Sequence, residues 1–304
     1  MKNNNVIVIL GPTASGKTSL SVKLAERYNG EIISADSRQV YRDMNIGTGK
    51  DLDEYSMVSP SINYHLINII DPTEDYSVYR FKNDFVSSYS DVVSNNKLPI
   101  VCGGTGLYLK SIINNYNMKD VESDYKLRSK LELLDIDSLK IKLINIKTPT
   151  HNSTDFDTKK RIIRAIEIAS AQNKESGLLD FPNITFTIIG IRIDRAESRR
   201  LITSRLKDRF KAGMIDEVKH IMKKYNLDHS RLHYFGLEYR YISKYLQGSI
   251  NYNTMFQSLN SAIHKYAKRQ MTFFRYMEKN GIKINWISSD LVNSSFRIIN
   301  NKNL

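Results

Sequence analysis

The chain has 304 residues, 41% of them hydrophobic, and 45 Lys and Arg against 32 Asp and Glu give it a formal charge of +13. No apolar run approaches the ~18 residues of a membrane span, and a single cysteine, Cys102, excludes an internal disulfide framework and fits a reducing cytoplasm. The cationic excess implies a polyanionic partner, nucleic acid first, because each Lys or Arg that meets a phosphate releases counterions. Met1 to Asn5 runs straight into the first apolar stretch, which predicts no secretory leader. From there, short apolar strands alternate with amphipathic helical patterns. Strands are expected at 6–10, 31–35, 65–70 and 98–102, with helices at 19–28 and 78–94. That alternation predicts a parallel sheet with helices on both faces. Later strands are expected at 185–193 and 282–287. Helices are expected at 130–143, 158–171, 199–209, 215–225 and 239–246, with a long one from Tyr252. Asn/Asp/Ser/Pro clusters mark loops at 149–157 and 179–183.

Between the first strand and the first helix lies Gly11-Pro12-Thr13-Ala14-Ser15-Gly16-Lys17-Thr18. This is G-x-x-x-x-G-K-[ST] in the strand–loop–helix setting of a phosphate-binding loop. The glycines let backbone N–H groups turn inward around phosphate oxygens, and the helix N-terminus adds partial positive charge. Lys17 brings a full charge to the outer phosphate, and the Thr18 hydroxyl can hold Mg²⁺. A di- or triphosphate ligand follows. The fold class expected is α/β, a P-loop NTPase-like parallel-sheet core with helical insertions. Its parts are 1–113 (the N-terminal core), 114–183 (a helical segment), 184–200 (a core strand), 201–261 (a helical insertion) and 262–304 (a basic helix and the last core strand).

The second strand ends in Asp36-Ser37-Arg38-Gln39. Ligands of open α/β sheets sit beyond the carboxyl ends of strands, so Asp36 should neighbour the phosphate loop as a general base, a Mg²⁺ holder through water, or simply an N-cap. Arg38 and Gln39 suit the reading of a base edge. The fourth strand ends in Cys102-Gly103-Gly104-Thr105-Gly106-Leu107-Tyr108, which brings backbone close to a ligand and offers the Thr105 hydroxyl to a leaving-group oxygen. The acidic strand end of a hydrolytic P-loop protein is doubtful: Asp71, before Pro72, reads equally as a turn. Basic residues cluster at Lys159 to Arg164, at Arg195 to Arg209 and at His264 to Tyr276, the last interleaved with aromatics as RNA binding favours. The six histidines, His151, His220 and His264 among them, show no metal-ligand spacing.

The phosphate loop, Ser34 to Thr48, Gly103 to Tyr108, the Lys160-Arg161-Ile162-Ile163-Arg164 helix and Ala267 to Arg275, taken in order, resemble the bacterial tRNA dimethylallyltransferase family over nearly the whole chain. The resemblance implies transfer of the five-carbon group of dimethylallyl diphosphate to N6 of the adenosine 3′-adjacent to the anticodon, in tRNAs reading codons that start with U. It implies that the loop holds a pyrophosphate and that Mg²⁺ aids its departure. Asp36 would accept the N6 proton, Thr105 would stabilise the bridging oxygen, and Lys17 with Arg205, favoured over Arg209, would hold the pyrophosphate. Asp36, Ser37, Arg38, Gln39, Thr105 and Lys160 to Arg164 would contact the anticodon stem-loop, with 114–183 and 201–261 serving tRNA. A monomeric cytoplasmic enzyme without membrane contact is expected. The rivals are an adenylate isopentenyltransferase acting on free nucleotide, a P-loop nucleotide kinase, and a non-catalytic RNA-binding protein.

Overall fold

The computed structural model describes residues 4–118, 121, 123–146, 156, 158–171 and 180–302. Along them run β1 (Asn5–Leu10), α1 (Lys17–Tyr28), β2 (Gly30–Ser34), α2 (Asp53–Ser56), β3 (Tyr64–His65), α3 (Val78–Ser94), β4 (Leu98–Gly103) and α4 (Gly106–Ile113). Then come α5 (Tyr125–Glu132), α6 (Ile136–Ile146), α7 (Lys159–Ser170), β5 (Thr185–Ile191), α8 (Arg195–Lys211), α9 (Met214–Lys224) and α10 (His229–Phe235). The chain continues through α11 (Leu237–Leu246), α12 (Tyr252–Lys279), β6 (Asn285–Ile287) and α13 (Leu291–Asn300).

All strands pair in parallel in one sheet of order β3-β2-β4-β1-β5-β6. A parallel sheet must be covered on both faces, and the period-2 alternation of β1 shows how this is met. Val6, Val8 and Leu10 enter one buried cluster, while Ile7 and Ile9 enter the other. The first cluster is completed by Phe81 and Phe85 of α3, Leu109 of α4, and Leu206, Val218, Ile242 and Phe274 from α8, α9, α11 and α12. The second is completed by Leu20 and Leu24 of α1 and Ile299 of α13. Among the described residues no helix is long and apolar enough to cross a membrane.

The chain forms two compact units, Met1–Tyr116 with Phe181–Leu304, and Asn117–Asp180. The first holds the sheet, and residues 201–261 cluster with it. The second holds α5, α6 and α7 around Leu139, Leu143, Ile162 and Ile166. In that unit Glu167, its side chain 1% exposed, accepts from Arg128 and Arg164.

Several expected elements differ. The strand at 65–70 is only β3, because Leu66 and Asn68 adopt positive φ of 62° and 58°. The N–H groups of Asn68 and Ile69 donate to the Gln39 and Val40 carbonyls at 3.1 and 2.8 Å, turning the segment onto the loop after β2. The helix at 130–143 is two helices. The Asp135 carboxylate accepts the Asp137 and Ser138 N–H groups at 2.9 and 2.8 Å, starting α6 afresh. The last strand shortens from 282–287 to β6, and α4, α10 and α13 were not expected. His151 and, apart from Phe156, the loop at 149–157 lie outside the described residues.

Candidate functional site

The phosphate loop leaves β1 and enters α1 through Gly16, whose φ of 78° is the left-handed conformation glycine tolerates best. Residues 13–18 line a cavity of about 680 Å³. Lys17 Nζ bends back to donate to the Pro12 carbonyl at 2.8 Å. Burial pulls its pKa down to about 8, with Arg205 adding to the fall and Asp36 opposing it. Ser15 Oγ, also in the loop, is buried without a hydrogen-bond partner. Gly11 and Pro12 are buried behind the loop and do not line the cavity.

The ends of β2 and β4 are sewn together beside this loop. Ala35 N donates to the Cys102 carbonyl at 2.8 Å, Thr105 N to the Ala35 carbonyl at 3.2 Å, and Ser37 N to Thr105 Oγ at 3.1 Å. Asp36, Ser37, Arg38 and Gln39 thereby line the cavity, whereas Thr105 stands one hydrogen bond behind its wall. Asp36 Oδ1 accepts the Arg38 N–H at 2.9 Å, which fixes the carboxylate plane. The Gln39 amide accepts from Ser34 Oγ at 2.9 Å and donates to the Gly49 carbonyl at 3.1 Å, which fixes its orientation in the cavity wall and leaves one N–H and one oxygen lone pair for a ligand. Arg38 donates to the Tyr234 carbonyl at 3.0 Å and lies over the Tyr234 ring. Asp71 is far from acting on a phosphate: it pairs with Arg42 at 2.9 Å on the surface and does not line the cavity.

Across from the loop, α8 presents both Arg205 and Arg209 one turn apart. Arg205 pairs with Asp51 and donates to the Gly49 carbonyl at 3.4 Å. Arg209 donates to the Gly47 carbonyl and to Glu238, each at 3.4 Å. Burial raises the Glu238 pKa while Arg209 lowers it. Glu54 Oε2 is buried in the same cavity wall with no partner, and burial, aided by Asp51, raises its pKa. Asp51 and Glu238 thus each hold one guanidinium group at the cavity wall. Among the described residues no group of three or more His, Cys, Asp and Glu is arranged to hold a metal.

Of the residues expected to touch nucleic acid, Lys160 to Arg164 belong to α7 in the second unit. Lys160 and Arg161 are exposed. Ile162 and Ile163 are 0% and 3% exposed in that unit's core, a correction to their expected contact role, since the apolar stripe of an amphipathic helix faces inward.

Sequence reasoning missed Gln270. Its Oε1 accepts the Thr13 N–H at 2.8 Å and its Nε2 donates to the Gly104 carbonyl at 3.0 Å, so one buried amide ties the phosphate loop to the β4 end. The available signal was a polar residue on the buried stripe Ile263, Ala267, Gln270, Phe274 and Met277 of α12. Asp51, Glu54 and Glu238 were missed too, and they bear no local mark.

Comparison with known proteins bears on this cavity. The family described as IPP transferase matches residues 39–277, and that described as isopentenyl transferase matches residues 4–58. The chain is 47% identical to tRNA dimethylallyltransferase 1 of Azobacteroides pseudotrichonymphae, over 99% of this chain and 98% of that protein. It is 44% identical to tRNA dimethylallyltransferase 2 of Phocaeicola vulgatus over the whole of both. The crystal structure of the tRNA isopentenylpyrophosphate transferase of Bacillus halodurans superposes with a TM-score of 0.69 at 31% identity, covering 99% of this chain and 95% of that one.

Proposed function

This chain belongs to the IPP transferase family, and from that membership we propose that it transfers the dimethylallyl group of dimethylallyl diphosphate to N6 of the adenosine 3′-adjacent to the anticodon of tRNA. One observation carries the reading. A single cavity joins a phosphate loop, two arginines and a fixed carboxylate, while the strand-end acid of a hydrolytic P-loop protein is absent from its lining. Such a site suits holding a diphosphate and receiving a proton, not splitting a nucleoside triphosphate.

In the step proposed, the N6 lone pair attacks C1 of the dimethylallyl group, the C1–O bond breaks, and pyrophosphate leaves with the bonding electrons. The N6 proton passes to the Asp36 carboxylate. Lys17, Arg205 and the N–H groups of residues 14–18 take up the charge that grows on the pyrophosphate. Thr105 fixes Ser37 beside Asp36 through the Ser37 N–H, and in this scheme its hydroxyl would have to swing past that bond to meet the departing bridging oxygen. The adenosine must leave the anticodon stack to reach the cavity, as flipping enzymes require. Mg²⁺ fits this donor set, since it takes hard oxygens and prefers one or two protein groups plus substrate phosphates. Thr18, with Asp36 in the same cavity, would hold it, and it would neutralise charge on the pyrophosphate. The enzyme is read as a cytoplasmic monomer.

The test is incubation with radiolabelled dimethylallyl diphosphate, Mg²⁺ and unmodified tRNA, with AMP and ATP as parallel acceptors. Label in tRNA at the adenosine 3′ to the anticodon is expected. Label only in AMP or ATP would replace the tRNA with a free nucleotide, and label in neither would remove prenyl transfer.

A further inference from the structure

Neither Glu217 nor Lys50 lines the cavity, yet both grip the loop that shapes its far wall. Glu217, in the first turn of α9, accepts three consecutive backbone N–H groups: Asn45 at 2.8 Å, Ile46 at 2.6 Å and Gly47 at 2.9 Å. Successive N–H groups turned to one point form an anion nest, here filled by a side-chain carboxylate. The Tyr239 hydroxyl adds a fourth donor at 3.0 Å. From inside the loop, the fully buried Lys50 ammonium donates to the Tyr41 carbonyl at 2.6 Å, Asn45 Oδ1 at 2.9 Å and Asn68 Oδ1 at 2.5 Å. Those bonds match its three N–H groups one for one. Burial pulls the Lys50 pKa down to about 7, with Glu217 the strongest opposing charge.

The loop held this way aims its carbonyls into the cavity. Gly47 O accepts from Arg209, and Gly49 O accepts from Arg205 and Gln39. We propose that Glu217 and Lys50 are positioning residues for the diphosphate subsite, fixing residues 45–49 so that the Gly47 and Gly49 carbonyls set Arg209 and Arg205 opposite the phosphate loop. The inference rests on the reading that this cavity takes a diphosphate. A carboxylate is needed because two separate oxygens serve four donors, two on each oxygen. An amide at this position has one acceptor oxygen and turns an NH₂ group against the remaining N–H.

The experiment is a mutant cycle on the affinity for inorganic pyrophosphate with Mg²⁺, measured by calorimetry on the full chain. Glu217→Gln is expected to weaken pyrophosphate about tenfold in the native background and less than about twofold in a background carrying both Arg205→Ala and Arg209→Ala, because the effect runs through those two guanidinium groups. The KM for dimethylallyl diphosphate should rise alongside, and that for tRNA should stay. Lys50→Met should follow the same pattern, and Glu217→Asp replaces Glu217→Gln if the amide variant does not fold. Equal losses in both backgrounds, or native affinity in the variants, would overturn the positioning role while leaving the functional reading intact. Failure of the native protein itself to bind pyrophosphate would overturn both.

Discussion

Asp36 closes a turn and, in the proposed step, also receives a proton. Its Oδ1 closes the turn on the Arg38 N–H, and the Ser37–Thr105 bond next to it pins the turn to β4. Asparagine keeps the acceptor but cannot take a proton at neutral pH. Asp36→Asn should therefore fold normally and lose ~10²–10⁴ in kcat with substrate KM values little changed. Native turnover in that variant would remove Asp36 as the base. Lys17 makes a second prediction, from its pKa of about 8 against the usual 10.5. The burial cost of its charge is fully present below about 8. As pH climbs from there towards 10.5, the folded chain releases the proton before the unfolded chain does, so this group adds stability across that window. Affinity moves the other way. Pyrophosphate binding should weaken above pH about 8, approaching about tenfold per pH unit as the ammonium is lost. Calorimetry between pH 7 and 9.5 reads this, and a flat profile would remove Lys17 from the charge balance of the site.

At the scale of elements, the site exists because strand ends and one long helix approach more closely than side chains permit. A Cβ on Gly103 would collide with the Ala35 carbonyl oxygen, and one on Gly104 would collide with Gln270 Nε2. The first obstacle is backbone, so β2 and β4 would have to part where Asp36 begins. Gly103→Ala is expected to cost about 1–3 kcal/mol, the range for overpacking, seen as a lowered thermal midpoint, and to impair turnover through Asp36. A midpoint equal to that of the native chain would contradict the packing described. α12 enters the same junction through Gln270, Arg269 beside it lines the cavity, and its opposite face carries the exposed Lys265, Lys268 and Arg275. One helix therefore closes the phosphate loop on its buried stripe and offers cations on its outer one.

For the molecule as a whole, the +13 charge would supply the main long-range attraction in the proposed encounter with tRNA. Not every cation contributes to it, since Arg164 is engaged by Glu167 and Arg209 by Glu238. Arg200 is likewise paired with Glu197; the exposed cations of α8 and α12 that remain include Arg199, Lys207, Lys265 and Lys268. Contact with 6–10 phosphates would make tRNA affinity fall by ~10³–10⁵ between 50 and 200 mM salt. Filter binding across that range tests it, and a salt-independent dissociation constant would be incompatible with recognition led by these helices.

The sequence by itself determined the phosphate loop, the α/β class and the strand ends bearing Asp36 and Thr105. Each rests on a local pattern, period-2 apolar runs or a glycine string between a strand and a helix, and needs only neighbours along the chain. The isoleucine spacing of α7 also marks its buried face, although the family resemblance points Ile162 and Ile163 at the tRNA. Only the tertiary structure decided the rest. Thr13 and Gln270 are 257 residues apart, and Glu217 is 170 to 172 residues from the N–H groups it binds. The place of Asp71 and the loss of the 65–70 strand depend on which segment packs against which. Pairings of that kind follow from the order of strands in the sheet and the docking of α8, α9 and α12, which no local spacing encodes.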